Sequence, residues 1–600
     1  MGRGLLHFII IMFSNKDNIN ILTSLLVAHH VRRVVVCPGA RNAPVVHNLN
    51  ECEAIECYPV TDERSAGFFA LGLSQSLAEP VAVCVTSGSA LLNLAPAVAE
   101  AWYQHIPLVV ISADRPEAWI DQLDGQTLPQ QGALGPFVRK SVTLPEPHDD
   151  VSRWHCNRLV NEALLDCCYP FAAPVHINVP ISEPLFEFTV PALPDERQIH
   201  RYTTASDVDI FLPRVFYEAA RPMIVVGQLF SDWVDEDDLS YVDMRRFFYD
   251  YCPVMSESLN NIFGGFPIDA ALSVIGDDAA YQPDVVVYFG GHIVSKRMKR
   301  FLRQSGARVI MVSDDPQIHD VTMRVTEQVM MKPFDALMSL HYFFEHNTYA
   351  DALGSNDVEE DNQPFYQLNP AHEDYHRMWQ EVMRRVEQQT LEFEPQYSQM
   401  ATVRYLEEQL SDVFFDYQIH YANSSAVRLA NLYAGVFNRH HVWCNRGVNG
   451  IEGTLSTAVG FAAGKRAVPA DNCPEKVICV IGDLSFFYDQ NAMWNSHLGG
   501  NLRVILLNNG GGGIFHTLPG LSDSDAHSMV MARHDTTAQG ICTQCDVGYI
   551  KATNMQEMRQ GIVTLLTEET TRPMVLEVFT DAAVDAEQLS VYNSQLTIHN

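Results

Sequence analysis

Short apolar runs rich in β-branched residues recur along the chain, each halted by Gly, Ser, Asn or Asp and followed by a stretch of helical character. They are Val34–Cys37, Val81–Thr86, Leu108–Ser112, Val175–Val179, Met223–Val226, Val285–Phe289, Val309–Val312, Val442–Cys444, Val477–Ile481, Val504–Leu507 and Met574–Val578. Strands apolar on both faces and alternating with helices predict buried parallel sheets. Breaks near Pro191–Arg197 and in the acidic stretch Asn347–Gln363, which reads as a linker or exposed loop, divide the runs into three groups. The predicted fold is α/β, with three doubly wound parallel-sheet domains at about 1–195, 196–350 and 351–600, the last opening with a helical connector around His372–Glu392. Such sheets bind ligands beyond the carboxyl ends of their strands, so function is expected in the residues just after each run.

Composition narrows the partners. The 600 residues are 47% hydrophobic and 19% charged, an ordinary globular balance. Forty Lys and Arg stand against 73 Asp and Glu, a formal charge of −33 that repels nucleic acid and anionic membranes at long range. Neither is expected as a partner. In so acidic a chain, Arg and Lys gathered at strand ends predict an anionic ligand. The 13 Cys are dispersed, and Cys542 and Cys545 form a CxxC with no second pair to complete a zinc site, so free thiols in a reducing cytoplasm are expected. The apolar run Leu5 to Phe13 is too short to span a bilayer and reads as an extension before an alternative start at Met12, with a weak signal peptide the rival reading.

The strongest chemical feature is Val480-Ile481-Gly482-Asp483-Leu484-Ser485, a strand delivering Gly-Asp to a helix start, with Asn508-Asn509 ending the next strand. A carboxylate and an amide oxygen at neighbouring strand ends suit a hard octahedral cation, and the glycines of Gly510–Gly513 let backbone approach an anion. A metal-bound diphosphate fits; from spacing alone, two ordinary strand-to-helix turns also fit. No GxGxxG follows any strand, which disfavours a dinucleotide.

Gly482-Asp483 followed by Asn509 resembles the signature of thiamine-diphosphate (ThDP) dependent decarboxylases and synthases. The resemblance implies ThDP with Mg²⁺ (or Mn²⁺) held by Asp483, Asn509 and the carbonyl of Gly511, and cofactor contacts from Gly482, Leu484, Ser485 and Ser87. Thr61 to Gly72 matches the superfamily element whose Glu bonds the aminopyrimidine, which makes Glu63 the catalytic candidate. Taken alone, Glu63 would read as a helix N-terminal charge.

Further stretches resemble the SEPHCHC synthases of menaquinone biosynthesis, the MenD family: Cys37 to Asn42, Thr86 to Ala90, Ser112 to Pro116, Lys296-Arg297, Asn423-Ser424 with Arg428, Asn445 to Thr457, and Gly512 to Phe515. That resemblance implies decarboxylation of 2-oxoglutarate and addition of the resulting carbanion to isochorismate, in a cytoplasmic homodimer or dimer of dimers. Both substrates are dicarboxylates, which explains the basic residues near strand ends. Substrate contacts are implied for Arg41, Arg115, Gln126, Lys296, Arg297, Ser424, Arg428 and Arg446. Ile451 matches the apolar prop of the bent cofactor, and Ile514 and Phe515 match pocket walls, with core packing the rival reading for these three. Ala40 and Asn42 stand where Ser is common, Gly510 where a third Asn is frequent, and His516 where Ser is common. His516, like His105 and His176, reads as structural. The alternatives are another ThDP-dependent decarboxylase or synthase, which the basic cluster disfavours, and a ThDP-binding paralogue without turnover, which intact Glu63, Asp483 and Asn509 disfavour.

Overall fold

The computed structural model describes residues 12–597 except 78, 105, 170–171, 203–204, 230–247, 249, 261–265, 314, 343–368, 412–416, 434–435, 438–440, 447–448, 468–475, 495–497 and 518–523. The expected linker Asn347–Gln363, His105 and most of the run Leu5–Phe13 therefore lie outside the described residues. The chain divides into two compact units: the first runs to Tyr202 and takes in Asp315–His319 and Thr326–Gln328, and the second holds the rest. Among the described residues no helix is long and apolar enough to cross a membrane.

The first unit is built on a parallel sheet of β1 (Arg33–Val36), β2 (Glu56–Pro59), β3 (Val81–Val85), β4 (Leu108–Asp114), β5 (Lys140–Thr143) and β6 (Val175–Pro180), ordered β2-β1-β3-β4-β6-β5. Alternation along each strand feeds two cores. Val34, Val36 and Ile111 face Ile19, Leu22 and Val160 on one side; Val35, Val83 and Val110 face Ala66, Ala70 and Leu94 on the other. Each Val, Leu or Ile side chain among them, fully buried, contributes roughly 1.5–3 kcal/mol. Central strands β3 and β4 are buried throughout, whereas edge strand β2 is partly exposed. On the first face the helix Asp150–Cys168 begins with a capping box, the Asp149 carboxylate accepting from the Ser152 N–H at 2.7 Å. The helix Glu63–Leu77 lies close to Ala95–Gln104 because Gly67 has no side chain: a Cβ there would sit 2.7 Å from that of Ala97.

In the second unit β7 (Pro222–Val226), β8 (Val254–Ser256), β9 (Val285–Phe289) and β10 (Arg308–Val312) pair in parallel in the order β8-β7-β9-β10. A further parallel sheet contains β11 (Gln418–Tyr421), β12 (His441–Trp443), β13 (Val477–Gly482), β14 (Leu502–Asn508), β15 (Gly548–Ala552) and β16 (Met574–Phe579), ordered β12-β11-β13-β14-β16-β15. This is the strand order of the first unit's sheet, repeated. The connector expected around His372–Glu392 is the helix Pro370–Glu392, capped by Asn369, whose side chain accepts from the Ala371 N–H. Its Trp379 is fully buried, with Tyr281 and Phe301 packed edge-on against the indole. The two parts of this unit are tied by Ser258, which donates to the Asn431 side-chain oxygen at 2.5 Å, and by Gln228, which donates to the Cys444 carbonyl at 3.1 Å.

Candidate functional site

In the second unit, pairing of β13 with β14 sets Gly482 beside Leu507, so Asp483 and Asn509 both follow adjacent strand ends. Asp483 is 3% exposed. Its Oδ1 accepts from the Leu484 N–H at 2.7 Å, its Oδ2 from the Gly511 N–H at 2.9 Å, and His534 Nε2 lies 3.4 Å from Oδ2. Burial pushes this carboxyl up, against the pull of those backbone donors and of His534. Asn508 turns away: its Nδ2 donates to Glu577 and to the Thr536 carbonyl, and its Oδ1 accepts from the Gly510 N–H. Asn509 instead donates Nδ2 to Asp585 at 2.9 Å. Gly510 and Gly511 take φ of +77° and +151°, and a Cβ at Gly511 would lie 2.7 Å from the Met531 carbonyl oxygen, so only glycine fits there.

These donors suit a hard cation. A buried carboxylate, an amide oxygen and backbone carbonyls make an all-oxygen set of the kind Mg²⁺ takes. Among the described residues no three His, Cys, Asp or Glu gather as a metal cluster. Ile514 and Phe515, both half-buried, sit in the turn Gly513–Thr517 just beyond the glycines, while Ser485 is buried and Leu484 half-buried after Asp483.

The same unit gathers positive charge. Ser424, in the left-handed region at φ +76°, precedes the helix Ser425–Tyr433, which carries Arg428. Arg446 is 9% exposed and donates to the Asn423 side-chain oxygen at 2.9 Å. The Asn423 amide in turn holds the Asn445 and Gly450 carbonyls at 2.7 and 2.6 Å, bracing the loop to half-buried Ile451. Burial, and then the Arg428 charge, lower the Arg446 pKa, with Glu257 opposing. Glu257 itself is fully enclosed: its carboxylate accepts from the Val294 and Ser295 N–H groups at 2.5 and 2.6 Å, at the start of the helix Lys296–Gln304. Burial pushes its carboxyl up to about 7. Lys299 on that helix is lowered by burial and by Arg446, Arg303 and Lys296. Lys296 is the first residue of that helix, three before Lys299. The Arg297 guanidinium bonds Ser273 and the Asp269 carbonyl.

In the first unit Glu63 opens its helix half-exposed, with the Asn93 amide donating to its Oε2 at 3.1 Å. Burial, then the charges of Glu63 and Asp62, push the Cys37 thiol up to about 12. Ser87 is buried after β3, followed by Gly88 at φ +87°, whose missing Cβ would meet the Gln126 backbone at 3.2 Å. Arg41 is buried and engaged by the Ile181 carbonyl at 2.9 Å and Glu183 at 3.0 Å. Arg115 bonds Asp124 and the Gly125 carbonyl, and the charges of Arg41 and Arg115 both reach buried Asp114. Gln126 is exposed at φ +56°. Asn42, where Ser is common, donates to the Cys37 carbonyl at 2.8 Å, so the departure maintains a polar brace beside Arg41.

Beneath these residues runs a buried network that sequence reasoning missed. Gln130 accepts from the Gly88 N–H at 2.7 Å and donates to Asn178 at 2.7 Å and to the Ala113 carbonyl at 3.1 Å. Asn178 donates to Asp114 at 2.9 Å, and His176 lies between the hydroxyls of Ser112 (2.8 Å) and Ser141 (3.1 Å). Burial lowers His176 to about 4. Glu257, His534, Glu577 and Asp585 were missed too. Only Asp585 left a trace, an acid soon after the β16 run.

Comparison with known proteins gives concordant matches. The N-terminal TPP binding domain of thiamine pyrophosphate enzymes matches residues 19–134, and the C-terminal TPP binding domain matches residues 425–578. Glu63 falls in the first stretch, Asp483 and Asn509 in the second. A Bacteroides fragilis protein named 2-succinyl-5-enolpyruvyl-6-hydroxy-3-cyclohexene-1-carboxylate synthase is 43% identical over 599 residues, covering 98% of this chain and 100% of its own. Proteins of the same name from Phocaeicola vulgatus and Porphyromonas gingivalis are 42% and 34% identical, covering 97% and 85% of this chain and 98% and 85% of theirs.

Proposed function

Because the chain belongs to the family of 2-succinyl-5-enolpyruvyl-6-hydroxy-3-cyclohexene-1-carboxylate (SEPHCHC) synthases and carries both thiamine-pyrophosphate domains, we propose that it catalyses that synthesis in menaquinone formation. The reaction decarboxylates 2-oxoglutarate and joins the four-carbon remainder to isochorismate. The observation that carries the reading is buried Asp483 beside Asn509 at adjacent ends of β13 and β14, closed by a turn that only glycine fits.

Bound ThDP supplies the electron sink that lets CO₂ leave. Asp483, Asn509 and the Gly511 carbonyl are the residues that would hold a divalent cation, Mg²⁺ or Mn²⁺, on its diphosphate. Gly482, Leu484, Ser485 and Ser87 are cofactor contacts in this reading, with Ile451, Ile514 and Phe515 excluding water. Glu63 holds a proton at the aminopyrimidine ring nitrogen, a task its carboxylate performs and an amide cannot. Arg428, Arg446 and Lys296, with Ser424, form the surface for dicarboxylates in the second unit, while Arg297 is tied to Ser273 and the Asp269 carbonyl instead; Arg41, Arg115 and Gln126 do so in the first. Cationic groups already partly stripped of water hold carboxylates more tightly than solvated ones. A homodimer or dimer of dimers in the cytoplasm completes the proposal.

The test is a product assay with 2-oxoglutarate, isochorismate, ThDP and Mg²⁺. Release of CO₂ together with the joined product is expected. CO₂ without joined product would leave a simple decarboxylase, and neither would leave a binding protein.

A further inference from the structure

We propose that Asp585 is a positioning residue for the cation site: its carboxylate fixes the Asn509 amide so that the oxygen, and not the nitrogen, is presented to the metal. The inference rests on the reading of Asn509 as a cation ligand and deepens it.

Asp585 lies in the helix Ala582–Thr597, next to the end of β16. Three donors converge on it: the Gln399 N–H on Oδ1 at 2.8 Å, and Thr580 Oγ1 at 2.8 Å and Asn509 Nδ2 at 2.9 Å on Oδ2. Gln399 and Thr580 lie outside the cation site, so the plane of the carboxylate is set independently of what binds there. An ionised carboxylate only accepts. The Asn509 nitrogen must therefore face it, because half a turn of the amide would set two acceptor oxygens 2.9 Å apart. Gly513 leaves room for this rotamer: a Cβ there would lie 2.5 Å from Asn509 Nδ2. With Nδ2 committed to Asp585, Oδ1 is the atom left for a cation. Ligands oriented in this way by an outer hydrogen bond bind metal more tightly than free ones.

Asp585→Asn separates orientation from architecture. Its Oδ1 still accepts from Gln399, but its new NH₂ faces the NH₂ of Asn509, and the latter turns its nitrogen toward the metal. The exchange Asn509→Asp with Asp585→Asn restores a donor facing an acceptor and leaves an oxygen for the cation. Full-length protein is titrated with Mg²⁺ at fixed ThDP, and cofactor binding is followed by tryptophan fluorescence and calorimetry. D585N is expected to raise the Mg²⁺ needed for half-saturation by roughly 10- to 100-fold, the usual cost of losing such a partner. The exchanged pair is expected to return to within a few-fold of wild type. A wild-type Mg²⁺ requirement in D585N overturns the inference. So does an exchanged pair no better than D585N or, if D585N does not fold, an exchanged pair far from wild type. Wild-type protein that binds no ThDP in an Mg²⁺-dependent way would instead overturn the cofactor reading beneath it.

Discussion

The first unit's sheet and the last sheet of the second unit share one strand order, yet the residues beyond their carboxyl ends do different work. In the last sheet, acids hold amides: Asp585 takes Asn509, and Glu577 takes Asn508 together with the Ala538 N–H and the Tyr549 hydroxyl. The effect is a fixed orientation for both amides. In the first sheet, amides and hydroxyls largely hold one another, Gln130 and the Ser112 hydroxyl both donating to the Asn178 oxygen, although buried Asp114 also accepts from Asn178. There Glu63 is half-exposed at a helix start. A topology shared by two sheets therefore fixes where a site can form but not which chemistry it takes.

The sharpest way to break the comparison is to remove the acid each sheet presents. Asp483→Ala is expected to abolish Mg²⁺-dependent ThDP binding, because a diphosphate without its metal bridge loses its main counter-charge. Calorimetry showing unchanged affinity would take Asp483 out of the cation site. Glu63→Gln should leave ThDP affinity within a few-fold but slow turnover by roughly 10²–10⁴-fold, the range of one proton-handling group. Hydrogen–deuterium exchange at C2 of bound ThDP at the wild-type rate would sink that role.

Next in size is Arg446→Ala. One lost charge-assisted hydrogen bond costs about 1.5–3 kcal/mol, so KM for a dicarboxylate should rise roughly 10- to 150-fold while ThDP affinity holds. Equal losses for substrate and cofactor would place Arg446 at the diphosphate instead.

What the sequence disclosed and what it hid follow from burial. Runs such as Val81–Thr86, Leu108–Ser112 and Val477–Ile481 are interior strands, apolar on both faces, and appear as strands within a residue or two of the expected bounds. Glu56–Pro59, Lys140–Thr143 and Gly548–Ala552 escaped because partly exposed strands near sheet edges need no apolar run. Gln418–Tyr421 escaped for another reason: it is buried throughout but carries polar side chains, of which Gln418 accepts from the Trp443 indole N–H and Tyr421 donates to Glu407. The same blindness hid Gln130 and Glu257. A buried polar residue is recognisable only with its partner, and the partners lie 42 and 37 residues away.

A smaller effect contrasts the two units through pH. His176 is held near 4 by burial, below the ordinary value of 6.5, so the unfolded chain takes up a proton in that interval while the folded one does not. Its stabilising contribution is full above pH 6.5 and falls as pH drops toward 4, by up to about 3 kcal/mol. Glu257 runs the opposite way. Raised from 4.5 to about 7, it makes folding less favourable as pH climbs through that interval, again by up to about 3 kcal/mol. The charged groups around it are Asp269, which raises it, and Arg446, which lowers it; Lys299 and the Tyr288 hydroxyl also sense its charge. Urea unfolding of wild type against His176→Asn and against Glu257→Gln, from pH 4.5 to 6.5, should give differences of opposite slope. Slopes of the same sign would refute one of the two assignments.

The smallest expected effect tests the departure at Gly510, where a third Asn is frequent in the family. At φ +77° the backbone is left-handed, which Asn tolerates better than other side chains. A Cβ at this position would lie 3.1 Å from the His534 carbonyl oxygen, a contact that eases with a shift of a few tenths of an ångström. Gly510→Asn should therefore cost no more than about 1 kcal/mol and leave the Mg²⁺ requirement for ThDP near wild type. Gly511 is the foil, since its φ of +151° and the 2.7 Å approach to the Met531 carbonyl leave no such room. Gly511→Ala must displace the backbone that donates to Asp483 and should weaken ThDP binding well beyond Gly510→Asn. If the two substitutions cost the same in a ThDP titration, the turn is not the rigid element that sets the oxygens around Asp483.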